Sequence, residues 1–177
     1  MSAEVRVWDP LVRVAHWTLV TGIVASWITG ELESDPARRA HEWIGYAVLA
    51  VIALRVVWGW TGTHYARFSE FVRGPAHTFA YARSVAALSE PRYLGHNPLG
   101  GWMVVALLVM AAAAGLSGWL SVTDRFWGVK WVQELHEALA NTLYALVGLH
   151  VAGVIHTSVR HRENLVRAMF TGRKRAT

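Results

Sequence analysis

Nine histidines and no cysteine define the chemistry open to this 177-residue chain. Without thiolates there is no disulfide framework, no cysteine zinc site, no iron–sulfur cluster and no covalent c-type haem, which needs C-x-x-C-H. Any metal or cofactor is therefore held by other side chains, and imidazole is the foremost candidate. Four histidines stand out by spacing and context: His16, His41, His136 and His150. His136 and His150 are 14 residues apart. On a helix that offset returns to within about 40° of one face and separates the two rings by about 21 Å. The same offset joins His41 to Arg55. Both His41-Glu42 and His136-Glu137 open like the metalloprotease H-E-x-x-H, but Gly45 and Ala140 stand where the second histidine is needed, so a zinc peptidase is excluded.

The elements that must position these side chains are apolar and long. Hydrophobic residues make up 54% of the chain and charged residues 16%, against about 25% charged in ordinary soluble domains. Four apolar runs, 14–30, 43–60, 99–122 and 138–159, each approach the ~20 residues that cross a ~30 Å hydrocarbon core, and Arg55 is the one formal charge inside them. The expected fold is an all-α integral membrane four-helix bundle, one domain over residues 1–177, with helices near 10–31, 36–61, 98–121 and 132–160. The first run is not expected to be a signal peptide, because Arg6, Asp9 and Arg13 flank it and no small-residue cleavage site follows.

Helix starts repeat one device, as Asp9-Pro10, Asp35-Pro36 and Asn97-Pro98. An Asx side chain caps free N–H groups, and Pro fits the first helical position, where its missing donor costs nothing. The helices thus begin before the apolar runs, and His16 and His41 fall a turn or more inside them.

Lysines and arginines divide unevenly between the two sides. Twelve lie in segments 1–13, 61–98 and 160–177, and four lie in loops 31–42 and 123–137. The positive-inside rule then places both termini and the long middle loop in the cytoplasm. In that loop Gly74-Pro75 introduces AHTFAYARSVAALS, an amphipathic stretch expected to form a cytoplasmic interfacial helix. Trp8, Trp17, Trp43, Trp58, Trp60, Trp127 and Trp131 lie near run ends, where indole rings anchor at the headgroups. The net charge of +5 reads as a topology signal, and no basic face on a soluble module points to nucleic acid.

With this topology His41 and His136 lie just inside the outer surface, and His16 and His150 belong to the inner half. Two opposed imidazoles from different helices, with no thiolate or carboxylate beside them, suit six-coordinate haem iron, and two such pairs make two stacked haems. Arg55 falls at the inner level, where a haem propionate is a suitable bidentate acceptor. Gly22, Gly45, Gly115, Gly118, Gly148 and Gly153 leave room for a flat macrocycle or for close helix packing. His64, His77, His96 and His161 are expected to be solvated or interfacial. His156, six residues beyond His150 and turned off its face, remains the alternative inner ligand.

Six strings in order carry a family resemblance: VWDPLVRVAHW, LRVVWGWTG, YARFSEFVRGP, YLGHNPLGGWM, ELHEALAN and RENLVRAMFTG. Together they resemble prokaryotic cytochrome b561, in particular the branch that includes cytochrome b subunits of nickel–iron hydrogenases and related diheme b proteins. The resemblance implies two non-covalent b haems, with His16 and His150 as the inner axial ligands and His41 and His136 as the outer ones. It implies a multi-pass protein of the bacterial inner membrane, surrounded by lipid, that moves electrons between the quinone pool of a respiratory chain and a periplasmic partner. The YLGHNPLGG variety suggests a c-type cytochrome as that partner. Two alternatives from the same family are the cytochrome b subunit of a nickel–iron hydrogenase and a superoxide oxidase that reduces ubiquinone. The near balance of charge in the outer loops gives little support to steering an anionic substrate. A haem-free metal or proton transporter is the distant alternative, weakened by the lack of intramembrane carboxylates.

Overall fold

The computed structural model describes residues 4–176, so residues 1–3 and 177 of the expected single domain lie outside it. Along the chain run β1 (Glu4–Arg6), α1 (Pro10–Gly30), α2 (Asp35–Thr61), a 3-10 turn at His64–Ala66, α3 (Phe68–Phe71), α4 (Pro75–Ala86), α5 (Pro98–Ser121), α6 (Lys130–Arg160), α7 (Leu165–Thr171) and β2 (Arg173–Arg175). Among them α1, α2, α5 and α6 are long and apolar enough to cross a membrane.

Two of the three expected caps form. Asp9 accepts from Val12 N–H at 2.9 Å and Asn97 accepts from Gly100 N–H at 2.7 Å, each with Pro in the first helical position. At α2 the cap shifts by one residue. Ser34 Oγ accepts from Ala37 N–H at 3.3 Å, and Asp35 enters the first turn, where a carboxylate suits the helix dipole and pairs with Arg38 at 2.6 Å.

The bundle is built from three extensive contacts: α1 against α2, α2 against α5 and α5 against α6. Val48 and Ile52 of α2, Leu108 and Ala111 of α5 and Leu143 of α6 form its buried centre. Close approach explains two of the glycines. A Cβ on Gly22 would lie 2.7 Å from the Val48 side chain, and one on Gly115 would lie 2.8 Å from Leu49. These two therefore serve helix packing, and Gly45, Gly148 and Gly153 are the ones that border open space. The long helix α6 leans on α5 alone over any large area, and its other face meets α1 and α2 through histidine rings.

One end of the bundle carries both terminal segments and is called here the tail side; the opposite end is the far side. At the tail side β1 pairs antiparallel with β2, with Val5 opposite Lys174. This ladder of three residues per strand was not expected, because such short, charged segments carry no readable strand pattern. A second apolar cluster, Val7, Trp8, Val12, Ala66 and Ala168, packs beside it. Trp8 is thus buried in protein and is not a headgroup anchor, whereas Trp43, Trp60, Trp127 and Trp131 are exposed on the bundle. Asp9 ties this end together by also accepting from Trp58 Nε1 at 3.0 Å and Thr63 Oγ1 at 2.6 Å. Glu163 does the same between loop and tail, pairing with Arg92 at 2.9 Å and Lys174 at 3.3 Å.

Candidate cofactor site

On the far side, α2 presents His41 and α6 presents His136, with ring centroids 6.0 Å apart and planes at 89°. Each ring is braced from a neighbouring helix. His41 Nδ1 is 2.9 Å from Ser26 O and 3.3 Å from Thr29 Oγ1, both on α1. His136 Nδ1 is 2.9 Å from Ala114 O and 3.2 Å from Ser117 Oγ, both on α5. A main-chain carbonyl only accepts, so each Nδ1 carries the proton and donates it, which leaves the lone pair on Nε2. This is the arrangement by which an outer acceptor orients a metal-ligating imidazole and raises its basicity. Gly118 makes the brace sterically feasible, because a Cβ there would stand 2.9 Å from His136 Cε1.

On the tail side, α1 presents His16 and α6 presents His150, with centroids 6.5 Å apart and planes at 57°. His16 also meets Trp17 edge-on at 5.2 Å. Its Nδ1 is buried and has no acceptor among the described residues. The four predicted histidines are therefore brought together as the two predicted pairs. His156, the alternative to His150, turns instead to Glu90, with Nε2 3.2 Å from Oε1.

These separations test what the pairs can hold. An imidazole nitrogen binds a metal at about 2 Å and lies about 1 Å from its ring centre, so two rings sharing one ion across an axis have centroids about 6 Å apart. Both pairs match that length. No group of three or more metal-ligating side chains converges among the described residues. What the chain offers is two imidazoles per site, which suits an ion that arrives with further donors of its own, as haem iron does. The contact of α6 with α1 and α2 is slight beside its contact with α5.

Two further side chains belong to the tail side. Arg55 is only 6% exposed, so it does not snorkel to an interface. Its Nη2 donates to Ala66 O at 3.2 Å, its guanidinium lies 5.3 Å from the Phe68 ring centre, and Nη1 is buried without a partner among the described residues. His96 departs from the expectation of a solvated loop residue. Its ring packs between Trp8 at 4.7 Å and Phe71 at 4.6 Å, and its Nδ1 is buried and has no partner among the described residues. Burial first, and then the charges of Arg55 and Lys174, push its pKa down to about 3, so the ring is neutral. Sequence reasoning missed it because its aromatic neighbours are remote in the chain. The signal that marks it is its place beside the Asn97 cap, which fixes the loop against the top of α5. His64 and His77 are exposed as expected, beside Glu70 and Tyr93 respectively.

Comparison with known proteins identifies the family. A "Probable Ni/Fe-hydrogenase B-type cytochrome subunit" of Bradyrhizobium diazoefficiens is 22% identical, over 96% of this chain and 85% of its own length. Proteins of the same description from Azotobacter vinelandii and Azotobacter chroococcum are each 26% identical, over 97% of this chain and 88% of their own. No solved structure matches the chain. The family profile of prokaryotic cytochrome b561 covers residues 7–172, a span that includes all four helices and both histidine pairs. Four apolar helices, imidazoles opposed at haem-iron spacing and this near-complete match together make the chain a member of the prokaryotic cytochrome b561 family.

Proposed function

We propose that this protein is a diheme b-type cytochrome that relays electrons between the quinone pool and a redox partner on the outer face of the bacterial inner membrane. The observation that carries the reading is the pairing itself: two sets of opposed imidazoles, 6.0 and 6.5 Å between centroids, at two levels of one bundle. Haem b held at each pair would supply a one-electron iron couple. His41 and His136 would ligate one iron through Nε2, since their Nδ1 protons are committed to Ser26 and Ala114 carbonyls. His16 and His150 would ligate the other. The 14-residue offset of His136 and His150 spaces the two stations by about 21 Å along α6, which divides a ~30 Å core into shorter steps. In the positive-inside orientation the tail side faces the cytoplasm, His16 and His150 are the inner pair, and α4 lies at the cytoplasmic interface.

The partner is inferred from the relatives. All three are described as hydrogenase cytochrome subunits and align along nearly the whole chain, which favours a nickel–iron hydrogenase over the c-type cytochrome suggested by YLGHNPLGG. A pyridine haemochrome assay with a reduced-minus-oxidised spectrum tests the core of the reading, with about two non-covalent b haems per chain expected from two histidine pairs. A protein purified without haem overturns it. Reduction of quinone that appears only when hydrogenase and hydrogen are supplied supports the relay, whereas quinone reduction by superoxide alone at a rate near diffusion control identifies an enzyme instead.

A further inference from the structure

Among the described residues the tail-side pair has no counterpart of the carbonyl braces on the far side; of the buried nitrogens without a partner at this end, which include Arg13 Nε, Trp17 Nε1 and Arg92 Nε, two stand out. One belongs to Arg55. A buried guanidinium without a counter-ion is costly. Among the described residues no carboxylate lies at ion-pair distance from it, and the nearby Asp9 already accepts from Val12, Trp58 and Thr63. The Nη1 of Arg55 is left without an acceptor among the described residues. The other group is His96, whose Nδ1 is equally buried and without a partner among those residues and is a donor in its N–H tautomer.

A chain of aromatic contacts links the two. Arg55 lies over Phe68, Phe68 meets Phe71 at 5.7 Å, and Phe71 meets the His96 ring at 4.6 Å. The charges of Arg55, Lys174, His150 and His16 all act on His96 at the tail side. A delocalised cation and a neutral N–H, each held in apolar surroundings, match an anion with two oxygens, a carboxylate, better than water or an apolar group.

We propose that His96 and Arg55 form a two-donor clamp for a carboxylate at the edge of the tail-side cofactor, with His96 Nδ1–H and Arg55 Nη1–H each bonding a propionate of the haem held between His16 and His150. This rests on the diheme reading above and adds His96 as a positioning residue. The clamp anchors the macrocycle where His16 lacks a brace and partly neutralises the propionate charge. Losing one charge-assisted bond leaves that charge less compensated, which favours the oxidised iron and lowers the potential of that haem alone.

The test uses the haem-loaded protein and the variant His96→Phe, which keeps ring packing on Trp8 and Phe71 but removes the donor. Spectroelectrochemical titration is expected to show both haems retained and the tail-side reduction equilibrium lowered by about tenfold, equivalent to about 59 mV for a one-electron couple. The far-side couple is expected to stay in place, and His96→Gln, which restores a donor, is expected to recover most of the shift. A His96→Phe protein with both haems and an unmoved tail-side couple overturns the clamp while leaving the diheme reading intact, as does an equal shift of both couples. Wild-type protein that binds no haem overturns both. Resonance Raman of the wild type needs no variant: the tail-side propionate bending band is expected to shift in deuterated buffer, and a band that does not move also overturns the clamp.

Discussion

On the far side, His41 and His136 each donate Nδ1–H to a main-chain carbonyl on an adjoining helix, whereas on the tail side His16 keeps a buried Nδ1 with no acceptor. Order at the tail side comes instead from chain segments folded over the helix ends. Asp9 joins α1 to Trp58 and Thr63, Glu163 joins the loop before α5 to β2, and Trp8 and Phe71 enclose His96. One site is therefore held by the bundle and the other by its covering. Bracing from helix backbone is stiff and uses few special residues, here Ser117, Gly118, Ser26 and Thr29. Bracing by loops needs many long-range contacts but brings charged groups close, which is how a protein tunes a cofactor's electronics.

The sharpest way to break the comparison is to remove one ligand at a time. His136→Ala or His41→Ala is expected to cut the haem count from about two to about one per chain and spare the tail-side couple, and His16→Ala or His150→Ala is expected to do the reverse. Pyridine haemochrome and redox titration read both results. Loss of both haems from either substitution would show that the two sites do not fold independently.

Steric pressure comes next. In Gly118→Ala the new Cβ would stand 2.9 Å from His136 Cε1, and overpacking of this kind costs about 1–3 kcal/mol. A lower Tm and a broadened far-side haem band are expected.

Acid should act on the other site. Burial pushes the Glu163 carboxyl up, but Arg92 and Lys174 outweigh it and hold it below its ordinary value of 4.5. Burial lowers Lys174 despite the carboxylate beside it, so Glu163 is the member whose ionisation the network favours. A carboxyl depressed in the folded state adds stability that is complete above its unfolded value and disappears as pH falls through the folded one. Thermal melts followed at the tail-side band are therefore expected to lose stability below about pH 4.5, with the far-side band less affected. In Glu163→Gln that pH dependence is expected to flatten.

Ser117→Ala is the mildest change. It deletes one of the two oxygens beside His136 Nδ1 and leaves Ala114 O in place. The expected cost is about 1 kcal/mol or less, seen as a small shift of the far-side couple with the tail-side couple fixed.

The far side was the more legible of the two in the sequence. Its helices follow from apolar length, and its two histidines stand near helix starts marked by Pro or by polar residues. The loop-built end was less so. His96 and Trp8 read as solvent or interface residues because nothing local shows that segments near 7, 66, 71 and 168 will enclose them. Ser34 displaced Asp35 as a cap because two good capping residues are adjacent there, and tertiary geometry chose between them. Gly22 and Gly115 could not be assigned to packing before Val48 and Leu49 were seen beside them.

By itself the sequence determined four membrane-length helices, and it set His136 and His150 on one face of α6 at two levels, because helical bonds and the 3.6-residue turn are local properties. Only the tertiary structure decided that His156 turns to Glu90 and that Arg55 and His96 keep buried nitrogens without partners among the described residues at the tail side. Those outcomes depend on contacts such as Arg13 to the Phe170 carbonyl, 157 residues apart. They form only once the whole chain has closed on itself, and no local pattern of residue types records them.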